Sequence, residues 1–268
     1  MKDYVMPTAK TDITVALGAD GVAMIRIDRP HKRNAMSLAM WRGLASFFAD
    51  LDSDKSVRSI VLTGADGTFC AGADISEFSS LRSTPEDGAA YDLSVEAAEH
   101  AIIGSKKPTI AAISGACVGG GLGLALCCDF RFADATAYFA IPAARLGIVY
   151  GITETRQLLQ AVGQAKAREI LFAGRRIVMP EAAAIGLVTH PVDGDVGGVA
   201  TTFAKTFTTS APRTIAGAKL ILGALAGGSI GERSRDISDA AKDAVSSRDY
   251  QEGIAAFAQK REPQFNGD

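Results

Sequence analysis

The sequence predicts an α/β fold that gives way to an all-helical tail, and three observations predict it. Short apolar runs with strand character alternate with segments whose apolar residues recur at helical spacing. Two glycine-centred segments, Phe69-Cys70-Ala71-Gly72-Ala73-Asp74-Ile75 and Gly115-Ala116-Cys117-Val118-Gly119-Gly120-Gly121, each follow an apolar strand-like run. From about Val196 only helical patterns remain, which puts a boundary near residues 192 to 200, with an α/β core over 1–195 and a helical C-terminal region over 196–268.

Taken in order, Val22-Ala23-Met24-Ile25-Arg26-Ile27 reads as a strand, and Met40, Leu44, Phe47, Phe48 and Leu51 then mark one face of a helix. Ser59 to Thr63 is a short buried strand that ends at Gly64. A polar loop through Pro85 leads to a long helix from Glu86 to about Ser105, which Pro108 stops. Thr109 to Ile113 is the next strand, the triple glycine is the turn, and Leu122 to Cys128 suits a buried helix. Strands at Phe130 to Ala133 and Ala137 to Ile141 precede helices near Thr153 to Val162, Ala165 to Phe172 and Pro180 to Ile185. A last strand falls around Leu187 to Pro191.

Composition narrows the function. At 268 residues with 47% hydrophobic content the chain has ample material for a core. No apolar run approaches the roughly 20 residues of a membrane span, and Met1-Lys2-Asp3-Tyr4-Val5 lacks a secretory pattern, so a cytoplasmic protein without a membrane partner is expected. The net charge of −2, without a basic stripe, argues against nucleic acid. Cys70, Cys117, Cys127 and Cys128 show no CxxC spacing and read as small buried hydrophobes. His31, His100 and His190 lie far apart, and no metal site is expected.

The glycine segments carry the chemistry. Two such turns can aim two backbone N–H groups at one oxygen, and residues poor in side chain let a substrate carbonyl approach the main chain. A dinucleotide site is not supported, because GxGxxG fails at Leu124 or Leu126 and no GK[ST] exists. A serine hydrolase would need GxSxG or a histidine paired with a serine, and neither is visible.

The ordered set of segments resembles the crotonase superfamily, the enoyl-CoA hydratase/isomerase family. The resemblance runs through Asp28-Arg29-Pro30, Asn34-Ala35-Met36, Phe69 to Ile75, Lys107 to Gly115 and the triple glycine to Cys128-Asp129. It continues through Leu146-Gly147, Gly174-Arg175, Ala182 to Val188 and Arg248 to Phe257. It implies a spiral of ββα units with a helical C-terminal region that packs a homotrimer, often paired into a hexamer. It also implies an acyl-CoA substrate in fatty-acid metabolism and a thioester enolate held by two backbone N–H groups. Coenzyme A would enter as part of the substrate, with no separate cofactor. By position those N–H donors would be Ala73 and Gly120. The CoA contacts would be Lys32, Arg33, Ala71, Asp74 and Ile75, with Phe257 and Lys260 approaching from the same or a neighbouring subunit. Ser76 stands where the family often carries a lysine.

Hydratases of the family carry two glutamates that fall here on Gly123 and Ala143, residues that supply neither acid nor base. Tyr150 lies where malonyl-type CoA decarboxylases of the superfamily place a tyrosine, and decarboxylation needs no strong base in its first step. Glu154, four residues on, is a candidate replacement base, or else a charge favoured at a helix N-terminus. Arg145 offers a clamp for a substrate carboxylate. The expected protein is therefore an enoyl-CoA hydratase/isomerase-family enzyme, the alternatives being a malonyl-type decarboxylase using Tyr150 or a non-catalytic acyl-CoA binder.

Overall fold

A computed structural model describes residues 2–3 and 12–268, so of the stretch Met1 to Val5 only Lys2 and Asp3 fall among the described residues. The main sheet has seven strands in the order β1-β2-β3-β4-β5-β7-β10. They are β1 (Lys2–Asp3), β2 (Ile13–Leu17), β3 (Val22–Ile27), β4 (Ser59–Gly64), β5 (Thr109–Ile113), β7 (Phe130–Asp134) and β10 (His190–Val192). The first three pair antiparallel, and every pair from β3 onward is parallel. A smaller sheet joins β6 (Ala116–Val118), β8 (Tyr138–Ala140) and β9 (Ile177–Val178).

The central parallel strands β4 and β5 read as nearly continuous apolar runs because both faces of the sheet are covered there. On one side lie α1 (Leu38–Ser53), α2 (Phe78–Leu81), α3 (Pro85–Ile103) and α4 (Gly120–Cys127). The Ser37 side chain caps α1 by accepting from Met40 N, and Thr84 caps α3 by accepting from Asp87 N. Helix α1 buries Met40, Trp41, Leu44, Phe48 and Leu51, while Phe47, expected on that face, is only partly buried. After α5 (Ala143–Leu146), α6 (Ile152–Ala173) and α7 (Met179–Ala184), the helix α8 (Val196–Lys205) covers the opposite face of the sheet. There Val196, Ala200 and Ala204 pack on Val61, Ile110, Ala112 and Phe132. Helices α9 (Pro212–Gly227), α10 (Ile230–Val245) and α11 (Arg248–Gln259) complete the chain.

The α/β fold with a helical C-terminal region is the one the sequence predicts. Four strands escape a reading by pattern: β1 and β2 lie upstream of the first segment identified, β6 hides between glycines, and β9 has only 2 residues. The two helices expected near Thr153 to Val162 and Ala165 to Phe172 are both present, as the two halves of α6 on either side of Gly163, whose φ of 73° is not helical.

Candidate active site

The two glycine segments run side by side. Cys70 N donates to Ala116 O at 2.8 Å, and Val118 N donates to Cys70 O at 3.0 Å, so the first segment follows β6 as an extra strand. Beyond that contact both chains turn at glycines with positive φ, Gly72 at 102° and Gly119 at 53°. A Cβ on Gly72 would stand 2.9 Å from Val118 O, so only glycine permits this approach. The turns leave the amides of Ala73 and Gly120 neighbours: a Cβ on Gly120 would lie 3.9 Å from Ala73 N, and one on Gly72 would lie 3.6 Å from Gly120 N. Neither amide has a hydrogen-bond acceptor among the described residues. Gly120 is also the first residue of α4, where free N–H groups and the helix dipole favour negative charge.

These amides stand at the head of a cavity of about 360 Å³. Trp41, Phe78, Val95 and Ile141 give it apolar walls, Arg82 and Tyr91 line it from the α2–α3 region, and Tyr150, Glu99 and Glu154 also line it. Trp41 Nε1 donates to Tyr91 Oη at 3.1 Å, which fixes both rings. The segment from Ser76 to Tyr91, which includes α2 and the start of α3, thus contributes Phe78, Arg82 and Tyr91 to the wall.

At Gly123, one helical turn beyond Gly120, the space of the missing side chain is occupied. A Cβ there would meet Glu99 Oε1 at 3.0 Å, Glu154 Cγ at 3.1 Å and Tyr150 Oη at 3.3 Å. Glu99 projects from α3 and is 2% exposed, and Glu154 projects from the first turn of α6 and is 8% exposed. The two carboxyls are neighbours beside Gly123, and each bears on the other's titration. Burial, and then the neighbouring charge of Glu154, push Glu99 up to about 9. Burial also raises Glu154, against the Gly151 backbone amide, which favours its charged form. Glu99 Oε1 is buried with no partner among the described residues. Two ionised carboxylates side by side in such a place would repel strongly, so the pair retains one proton.

Tyr150 precedes α6 and is half-buried, and its Oη donates to Gly119 O at 3.0 Å. Its closeness to Glu154 comes from the Gly151 turn into α6, not from helical spacing. Burial, then Glu154, hold its phenol well above the usual range. Ala143 is buried in the wall and brings no acid or base.

The other sequence-predicted residues divide. Ala71 and Ile75 line the cavity. Asp74 does not: it is 5% exposed and accepts from Ser76 Oγ at 2.5 Å and Arg29 Nη1 at 2.7 Å, and these bonds, the Ser76 bond foremost, lower its carboxyl to about 2. Lys32 Nζ lies 3.2 Å from Ser76 Oγ and 3.7 Å from Asp74 Oδ2. Arg33 is exposed in a left-handed conformation, and its carbonyl accepts from Ala71 N. Arg145 is exposed, bonds the Ala173 carbonyl at 3.2 Å and does not line the cavity. Phe257 and Lys260, on and just after α11, also lie outside its wall.

Glu99 is the residue that sequence reasoning missed. Its signal is a carboxylate on the apolar stripe of α3, in step with Val95, Ala98 and Ile102.

The chain from residue 18 to 268 matches the family model described as enoyl-CoA hydratase/isomerase. A relative named "Probable enoyl-CoA hydratase echA8" from Mycobacterium leprae is 35% identical over 96% of this chain and 98% of its own. A mitochondrial methylglutaconyl-CoA hydratase of Rattus norvegicus is 32% identical over 92% of this chain and 80% of its own. The solved structure of an enoyl-CoA hydratase/carnithine racemase from Magnetospirillum magneticum superposes with a TM-score of 0.90 at 35% identity, covering 97% of each chain. The fold and its glycine-turn cavity thus define a crotonase-type protein. The chain belongs to the enoyl-CoA hydratase/isomerase family.

Proposed function

We infer that the protein is an enzyme that binds an acyl-CoA thioester and works through its enolate, with the thioester oxygen held by the N–H groups of Ala73 and Gly120. The observation that carries this reading is the pair of neighbouring amides without acceptors at the head of a largely apolar cavity. An enolate needs charge stabilisation at the oxygen, and one such donor contributes about 100- to 1000-fold in rate. The carboxyl pair that lines the same cavity supports proton chemistry on the acyl chain and disfavours a purely binding protein, since a ligand pocket has no use for a buried shared proton. It also disfavours a malonyl-type substrate. Its negative charge would oppose a substrate carboxylate, and the exposed Arg145 is turned to Ala173 rather than to the cavity.

CoA itself would lie along Lys32, Arg33, Ala71 and Ile75 at the cavity mouth, where basic side chains suit its phosphates. Asp74 then serves as the ion-pair partner that holds Arg29 and Lys32 in place. The assembly we infer is a homotrimer or a pair of trimers. Leu222, Leu225, Ile254 and Phe257 on α9 and α11 are exposed apolar residues that such packing would cover. Through it, Phe257 and Lys260 would reach a neighbouring subunit's CoA. The compartment we infer is the cytoplasm, consistent with four free buried cysteines.

The test is exchange of the α-hydrogens of butyryl-CoA in D2O, followed by mass spectrometry, beside a calorimetric measurement of thioester binding. Exchange with micromolar binding supports an enolate enzyme. Binding without exchange supports the acyl-CoA binder in its place.

A further inference from the structure

The space that Gly123 leaves open holds a carboxyl pair drawn from two other helices, and neither residue stands where the family's glutamates would fall. Glu99 Oε1 lies 3.0 Å, and Glu154 Cγ 3.1 Å, from the point a Cβ on Gly123 would occupy. A glutamate at Gly123 would aim its carboxyl along this same wall of the cavity. The wall therefore carries acid–base groups although α4 supplies none.

We propose that Glu99 and Glu154 act together as one relocated acid–base group, sharing a single proton, that moves a proton between two carbons of the acyl chain on one face of the enolate. The proposal rests on the enolate reading above. Three geometric facts support it: both residues line the cavity that contains the Gly120 amide, both are buried, and among the described residues Glu99 Oε1 accepts no hydrogen bond.

The substrate class follows from the count of groups. Hydration across a double bond needs a base for water and an acid for carbon at separate places, and Ala143 leaves the second place empty. A single group that accepts and returns one proton suits migration of a double bond from C3 to C2 of an enoyl thioester. In the first half, the Glu154 carboxylate takes a C2 proton. The C2–H electron pair enters the C1–C2 bond, and the thioester oxygen becomes the oxyanion at Ala73 and Gly120. In the second half, the proton returns to C4, and the C3–C4 π pair forms the new C4–H bond. The C2–C3 double bond forms as the oxyanion collapses to the carbonyl. The pair ends with the one proton it began with, and nothing is oxidised or reduced.

Several groups bear on the pair: Glu96 and Asp92 from α3, Tyr150 from the loop before α6, and Cys127 from α4, while His100 of α3 turns to Thr153 and Glu96. Tyr150 and Cys127 are both held well above their ordinary ranges, so a loss of activity near pH 9 belongs to the second carboxyl proton.

The experiment is turnover of trans-3-hexenoyl-CoA and crotonyl-CoA by the full chain and by the Glu99→Gln, Glu154→Gln and doubly substituted variants, with hexanoyl-CoA affinity and circular dichroism as readouts of an intact pocket. The expected result is isomerisation at least 100-fold faster than hydration. Glu154→Gln should lose isomerisation by 100-fold or more with affinity within about threefold. Glu99→Gln should convert a bell-shaped pH profile of kcat/KM into one without the alkaline fall. Faster hydration than isomerisation overturns the proposal, as does isomerisation that either single variant leaves within threefold with the bell intact. If α-hydrogen exchange persists undiminished in the double variant, the carboxyl pair fails while the enolate reading stands. If the unsubstituted protein binds thioester without exchange, both fail.

Discussion

The Tyr150 hydroxyl donates to the carbonyl of Gly119, 3.0 Å away, and thereby ties the loop before α6 to the residue that precedes the Gly120 amide. A phenol engaged in that bond, with its proton held tightly by burial, is a brace for the amide and a poor proton donor. Tyr150→Phe removes one hydrogen bond worth about 0.5–1.5 kcal/mol. Turnover is expected to fall by no more than about tenfold. Steady-state kinetics with an enoyl thioester checks this, and a loss above about 1000-fold would return Tyr150 to the role of a reacting group.

The Gly120 amide has no acceptor among the described residues, so its hydrogen contributes little to folding. Replacing that amide by an ester through nonsense suppression should lower kcat by about 100- to 1000-fold, with only the small loss of Tm that follows from weakening the Gly119 carbonyl as acceptor for Tyr150 and Gly123. A parallel drop in Tm and kcat would show that the amide is structural.

Glu99 retains its proton up to about pH 9, whereas in the unfolded chain it releases it near its ordinary 4.5. Between those values the folded state holds more protons, so this residue makes stability fall as pH rises through the window. The Glu99→Gln variant lacks that slope. Its Tm relative to the parent should therefore climb from pH 5 to pH 8.5, at about 2–4 °C for each kcal/mol. Differential scanning calorimetry across that range is the check.

Asp74 has the opposite sign. Its carboxyl is lowered to about 2 by Ser76 and Arg29, so its stabilising contribution is complete above the ordinary 3.8 and is lost as pH falls toward 2. Asp74→Ala removes the buried partner of Arg29 and should cost about 3 kcal/mol at pH 7. Denaturant unfolding at pH 7 and pH 2.5 should show that difference shrink on acidification.

Phe257, 89% exposed on α11, is expected to be covered by a second copy of the chain. Phe257→Glu should shift the particle mass seen by light scattering from a trimer or hexamer toward the monomer. An unchanged mass would place the subunit contact elsewhere.

How much of this was legible in the sequence depended on the range of the interactions involved. The strands Val22–Ile27 and Thr109–Ile113 were readable to the residue, because continuous apolar runs between turns have few other uses. The Ala73 and Gly120 turns were readable because positive φ and close backbone approach select glycine. Glu154 stood out as a candidate, yet its partner did not. Glu99 lies 55 positions earlier on another helix, and only packing brings α3 against α6. Local pattern also gave no sign of the Ala173 carbonyl that Arg145 bonds, 28 positions away.

The filled space at Gly123 has a consequence for substitution there. A glutamate there and one at position 154 compete for the same volume, as do the ends of Glu99 and Tyr150. A glutamate placed at Gly123 would have to push aside the side chains of Glu99, Glu154 and Tyr150, so in this chain a carboxylate on α4 and the carboxyl pair are alternatives for one space.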